Sequence, residues 1–217
     1  MSRTAQDPRF EELPDRLAIF PLPGVLLLPG GRLPLNIFEP RYLEMFDDAI
    51  ASNRLIGMIQ PKEPEDNGNV PALYDTGCVG RLTSFSETDD GRYLVNLTGL
   101  IRFDVNLELE SGNYRLVQPN YQRFKGDLSE DNGPVDRERL LEILQSYFKA
   151  LSIDGDWQAI ERLGDEYLVT AVAMICPLDS PEKQVLLETM TLQERAETLI
   201  AILEMAIHNN SDETVRH

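Results

Sequence analysis

The chain has 217 residues, 42% of them hydrophobic and 26% charged, the composition of a folded protein with one large domain or two small ones. Its 20 Lys and Arg stand against 37 Asp and Glu, a net charge of −17, and both halves are acidic, with 13 basic to 21 acidic side chains in 1–133 and 7 to 16 in 134–217. Nucleic acids and anionic membranes are bound largely through Lys and Arg, so this balance excludes both as expected partners.

Residues 1–16 read as a polar, flexible tail whose Asp7, Glu11, Glu12 and Asp15 are the wrong charge for a secretory leader. Leu17–Phe20 and Val25–Leu28 read as short apolar strands bounded by proline and glycine. Leu33, Leu35 and Ile37 alternate with Pro34 and Asn36, a half-buried strand. Pro40 suits the first position of a helix, and Tyr42, Leu43, Phe46, Ala49 and Ile50 then fall on one face through Ser52. Leu55–Ile59 reads as a buried strand, and 61–72 as a loop.

From Gly77 the period is two. Runs at 77–87 and 92–99 flank a turn at Asp89-Asp90-Gly91, a hairpin signal. Ile101 to Leu109 alternates cleanly, and Tyr114–Gln118 reads as a closing strand. An acidic, glycine-containing linker follows at 126–134. Beyond it the period is helical, with Leu140, Leu144, Tyr147 and Leu151 on one stripe. Residues 165–175 are apolar almost all round, as in a helix wrapped by others. Ser180-Pro181 predicts a helix start with Ser180 as the cap, and Thr191-x-x-Glu194 is a capping box opening a last helix. The fold class is α+β. A β-rich lobe at 17–125 joins through the linker to an all-helical lobe at 135–210, with a tail at 211–217.

Reactive side chains are few. His208 and His217 lie near or at the C-terminus, and Cys78 and Cys176 have no metal-ligand spacing and read as buried thiols of a reducing cytoplasm. There is no phosphate-binding GxxxxGK[ST], HExxH or GxSxG. Ser180 and Lys183 have the spacing of an SxxK pair, against which the capping role of Ser180 is the better reading. Paired carboxylates such as Asp47-Asp48 and Asp89-Asp90 read as solvated surface. No cofactor or metal is expected.

The segment Leu17–Tyr42 carries specific information. Phe20-Pro21-Leu22, Leu28-Pro29-Gly30, Leu33-Pro34-Leu35 and Ile37-Phe38-Glu39-Pro40-Arg41-Tyr42 resemble the opening run of the Lon protease N-terminal domain and its stand-alone relatives. Arg54-Leu55-Ile56-Gly57, Gly77-Cys78-Val79-Gly80 and Gly99-Leu100-Ile101-Arg102-Phe103 resemble that family's next features, in order. The resemblance implies a PUA-like β-barrel lobe followed by a helical bundle. It also implies a docking module for unfolded or extended polypeptide, acting with a protease or chaperone machine and not itself catalytic. A stand-alone peptidase and an RNA-binding PUA-like protein are the alternatives. Phe38, Glu39, Arg41, Tyr42 and Arg102 are the candidate partner-binding residues, each with a structural use beside the functional one. Glu39 and Arg41 can pair or cap the helix, Phe38 and Tyr42 can pack, and Arg102 can face either way.

Overall fold

The computed structural model describes residues 8–63, 71–129 and 133–215. Six strands, β1 (Leu17–Pro21), β2 (Arg32–Ile37), β3 (Leu55–Ile59), β4 (Thr76–Glu87), β5 (Tyr93–Leu109) and β6 (Arg115–Asn120), form one sheet in the order β2-β5-β4-β3-β1-β6. The alternating runs at 92–99 and 101–109 are a single strand, and its length closes the sheet. The first half of β5 pairs with β2 and β4, and its second half pairs with β6. The result is a barrel with β2 laid along its outer edge. Register shifts in β4 at Val79/Gly80 and Leu82/Ser84, and in β5 at Val105/Leu107, supply the added twist that closure needs.

Leu26, Leu27 and Leu28 are buried but form no strand. Gly24 and Gly30 have φ of 70° and 76°, which break an extended run, and flanking Pro23 and Pro29 offer no N–H to a ladder. The segment is instead pressed onto β5. Gly30 donates to the Gly99 carbonyl and Gly99 to that of Gly31, both at 2.9 Å. A Cβ on Gly99 would lie 2.0 Å from the Leu28 carbonyl oxygen, so only glycine fits there.

Helix α1 (Pro40–Ala51) follows β2 and buries Tyr42, Met45, Phe46 and Ala49 against the barrel. The helical lobe comprises α2 (Arg137–Ala150), α3 (Trp157–Glu161), α4 (Asp165–Ile175), α5 (Ser180–Glu188) and α6 (Leu192–Val215). One apolar cluster fills the barrel around Ile19, Val79, Ile101 and Phe103. A larger one runs from Phe20 and Leu28 through Phe46 to Leu144, Leu168 and Leu199, so the two lobes share a core.

Several expectations change at the edges of elements. The N-terminal segment is not free from residue 10 onward. Phe10–Glu12 is a 3-10 turn, Phe10 and Leu13 pack on the barrel core, and the Tyr121 hydroxyl donates to the Pro14 carbonyl at 2.9 Å; residues 1–7 lie outside the described residues. A second 3-10 segment, Gln122–Leu128, runs into the expected linker, of which 130–132 lie outside the described residues. Helix α4 is buried round most of its girth at Leu168, Val169, Thr170, Val172 and Ala173, and opens to solvent at Tyr167 and at its last residue, Ile175, 80% exposed. Helix α5 is capped by Asp179 rather than Ser180, and Glu182 reaches back to the Asp179 N–H at 2.8 Å. The box at Thr191 and Glu194 forms with both bonds at 3.1 Å. Helix α6 continues through Val215, so 211–215 is helix, and 216–217 lie outside the described residues.

The lobes are locked at the C-terminus of α5. Arg102 of β5 is 1% exposed, and its Nε and Nη2 hold the two oxygens of Asp127 at 2.9 and 2.6 Å. Its remaining donors reach the carbonyls of Leu187 at 2.9 Å, Thr189, and Met190 at 3.1 Å. Arg195 of α6 donates to the carbonyls of Leu186 and Thr189, and Arg123 to that of Glu188. Burial, reinforced by the like charge of Arg102, lowers the Arg195 pKa to about 10. Gln60 donates to the Ser180 carbonyl and to Gln184, which donates in turn to the Thr76 carbonyl.

Arg102→Met leaves the buried Asp127 carboxylate without its counter-charge and the Leu187 and Met190 carbonyls without their side-chain donor, and is expected to cost about 3–5 kcal/mol in urea unfolding. The double variant Arg102→Met/Asp127→Asn is expected to recover part of that loss. A loss under about 1 kcal/mol would show that the junction does not depend on this residue.

Burial also holds the Tyr147 phenol up to about 12 and the Cys176 thiol up to about 11. Both bind their protons more tightly folded than unfolded. Their contribution to stability is therefore whole below the unfolded values of 10 and 9, and is lost as pH rises through 12 and 11. The melting temperature is expected to fall across that window. Ellman's reagent at pH 8 is expected to label neither buried cysteine before unfolding and both after it.

Candidate functional site

The candidate residues converge on the corner where β2 turns into α1. Pro40 opens the helix, and Glu39 immediately before it takes the Arg41 guanidinium, with Nε and Nη2 at 3.0 and 2.9 Å from one carboxylate oxygen. The Arg41 guanidinium also lies 4.7 Å from the Tyr42 ring centroid. Tyr42 is a core residue, its ring 4.3 Å from that of Phe20. Phe38 has the opposite fate and is 64% exposed. Four of the five candidates thus share one corner. Arg102 does not join them, because its burial at the lobe junction puts it out of a partner's reach.

One hollow lies on β2 and its neighbouring strands, and another beside α1. The larger is a groove of about 490 Å³ across β2, β5 and β4, lined among others by Pro34, Asn36, Phe85, Ser86, Leu94 and Asn96. None of its lining residues is charged, in a chain where 26% are. Depletion of charge with exposed aromatic and aliphatic side chains marks the centre of a protein interface. Leu94 is 47% exposed and Phe85 44%. The smaller hollow, about 200 Å³, is lined by Arg41, Tyr42, Gly112, Tyr114 and Arg115 among others. Its Arg115 fork is engaged by both Glu108 oxygens at 2.6 and 2.7 Å.

Three carboxylates of α1 tie the helix to the start of β5 and to residues of the smaller hollow. Asp47 accepts from the Tyr93 hydroxyl at 2.9 Å, Asp48 from that of Tyr114 at 2.6 Å, and Glu44 from the Asn113 amide at 2.6 Å. Partial burial, then the Asp48 bond, push the Tyr114 phenol up to about 12. These carboxylates read as plain surface in the sequence, but two of them hold tyrosines. Leu94 was detectable there as an apolar residue on the polar phase of its strand. Phe85 stands opposite Val95, because the register shift between Leu82 and Ser84 turns it to the face away from Leu94.

The reactive groups are otherwise engaged. The Lys183 ammonium donates to the Gly24 carbonyl at 2.7 Å, burial lowers its pKa, and the Ser180 carbonyl accepts from Gln60. Burial pushes the Cys78 thiol well above its usual range. No group of three His, Cys, Asp or Glu suited to a metal occurs among the described residues, and none of their helices is long and apolar enough to cross a membrane.

Comparison with known proteins agrees with this architecture. The chain is 30% identical over 207 residues to a Lon protease of Parabacteroides distasonis, covering 89% of the chain and 24% of that protein. It is 25% identical over 223 residues to a Lon protease of Anaeromyxobacter dehalogenans, covering 95% and 26%. It therefore spans about a quarter of the length of these relatives. A Lon N-terminal domain protein from Xanthomonas campestris has the same fold, with a TM-score of 0.61 at 24% identity over 86% of this chain and 97% of that one. The N-terminal domain of a Mycobacterium avium complex Lon protease superimposes with a TM-score of 0.60 at 16% identity, over 87% and 98%. The profile of the substrate-binding domain of ATP-dependent protease La (LON) matches residues 16–205. The chain belongs to the family of Lon substrate-binding domains.

Proposed function

We propose that this protein is a non-catalytic docking module that holds unfolded or extended polypeptide in the cytoplasm and works beside a protease or chaperone machine. The observation that carries this reading is the uncharged groove on β2, β5 and β4, with Leu94 open to solvent on it, together with exposed Phe38 at the family's signature corner. An apolar side chain seated there loses its contact with water, which is the main source of affinity for such a partner. A peptidase reading needs a nucleophile with a positioned base, and the Lys183 ammonium is instead held by the Gly24 carbonyl. An RNA-binding reading needs clustered, accessible cations, and the net charge of −17 works against it.

The test is a titration of permanently unfolded, reduced and carboxymethylated α-lactalbumin, followed by fluorescence anisotropy. Wild type is expected to bind. Leu94→Asp, a change at a solvent-facing position, is expected to weaken binding roughly tenfold or more with its melting temperature nearly unchanged. A well-folded wild type that binds neither this protein nor unfolded peptides refutes the docking function. Binding that ignores Leu94→Asp moves the site elsewhere.

A further inference from the structure

We infer that the open edge of β4 beyond Leu82 takes an extended polypeptide segment as an added strand, with an apolar residue facing Phe85 and a lysine or arginine facing Glu87. This rests on the docking function proposed above and names the conformation and pattern of the segment it takes.

Strand β3 pairs with β4 only from Cys78 to Arg81, and on that side the Leu82 N–H then donates to the Arg54 carbonyl at 2.9 Å. Past Leu82, β4 is paired with β5 on one side and with no described strand on the other, and all of 83–87 is exposed. The direction of the backbone groups follows from the end of the hairpin. Thr88 donates to the Arg92 carbonyl at 2.9 Å, so these two residues are a hydrogen-bonded pair. Such pairs alternate along an antiparallel ladder, which turns Ser86 and Ser84 toward β5. The N–H and C=O of Phe85 and Glu87 therefore point outward, four main-chain groups available to another strand.

The free edge of β2 is closed to such pairing. Asn96 turns its backbone groups toward Ser84, so Pro34 on its other side faces outward, and proline has no N–H to give. Residues 83–87 hold neither proline nor lysine, two common guards of an exposed edge.

Side chains of an added strand alternate between the two faces of the sheet. The Phe85 ring lies against that of Tyr93, which bonds to Asp47 of α1, so residues 85 and 87 face the helix. Glu87 forms no ion pair among the described residues. An apolar residue and a cation two places apart complement that face as cross-strand partners. The residues between them lie beside Ser84 and Ser86, where they continue the groove. A second copy of the chain fits less well, because it brings another Glu87 and a net charge of −17 to the same edge.

The experiment uses a fluorescein-labelled peptide, Ser-Gln-Val-Leu-Thr-Lys-Val-Gln-Ser, and five versions N-methylated singly at its central amides, titrated against the full chain. Methylation is expected to weaken binding roughly tenfold at every second amide and to leave the others nearly unchanged, since alternate N–H groups face the edge. Glu87→Pro removes an outward N–H without touching the β5 ladder, and is expected to weaken binding by a similar factor with its melting curve preserved. Glu87→Gln is expected to lose only a roughly threefold preference for this peptide over one with glutamine for lysine. Methylation that acts equally at all five amides, or at none, overturns the inference and leaves the docking function standing. So does a folded Glu87→Pro that binds as wild type does. Equal affinity of the lysine and glutamine peptides for wild type overturns the assignment at Glu87. A wild-type dimer that Glu87→Pro dissociates puts a second copy on the edge and overturns the inference as well. If the peptide does not bind wild type but unfolded α-lactalbumin does, the edge is not the site; if neither binds, the docking function falls and this inference falls with it.

Discussion

Arg102 is the fixed point of this molecule. A guanidinium withdrawn from water is tolerated only when its charge is countered and its donors are all occupied, and here Asp127 and three carbonyls of the α5 terminus do both. The carbonyl end of a helix carries partial negative charge, so the terminus and the cation suit each other. Arg195 and Arg123 gather at neighbouring carbonyls of the same terminus, from α6 and the 3-10 segment, and Arg195 shares that of Thr189. Four parts of the chain meet where α5 stops, and the relation of barrel to helices follows from that meeting.

The segment between β1 and β2 makes the second seam. Its leucines are buried while its backbone bonds to Gly99, and the Lys183 ammonium of α5 reaches over to Gly24. The prolines and glycines of the family signature therefore serve the joint between lobes as much as the barrel itself. That signature ends in Phe38 and Arg41, so one stretch of sequence builds both the joint and the corner next to the groove.

Much of this was legible in the sequence, and the failures have physical causes. Periodicity located β2, β4, β5, α1, α2 and α6, because each buries one face, whereas β3 and α4 were read from continuous apolar runs and β3 is buried throughout. Val25–Leu28 looked like a strand because burial and strand patterns coincide for a short apolar run. The positive φ angles of Gly24 and Gly30 are not visible in hydrophobicity. Arg102 lies on the polar phase of β5, where an arginine meeting solvent and one meeting a helix terminus look alike. Only the position of α5, dozens of residues away, decides between them. The groove was hidden for a related reason. It is assembled from three strands, and which of their residues stand side by side leaves no mark in the alternation of any one of them.

Strand β5 carries Leu94 in the groove and Arg102 at the junction, eight residues and about 27 Å apart. Along that span it is hydrogen-bonded to β4 throughout and to β2 over its first half. A tug on a polypeptide held at Leu94 would therefore travel lengthwise down β5 into the Arg102 lock. Hydrogen bonds loaded in that direction share the force and give way together, whereas bonds peeled from a strand end fail one by one. With polypeptide docked at Leu94 as proposed, the barrel would act as a mechanical anchor whose grip and mooring lie on the same strand.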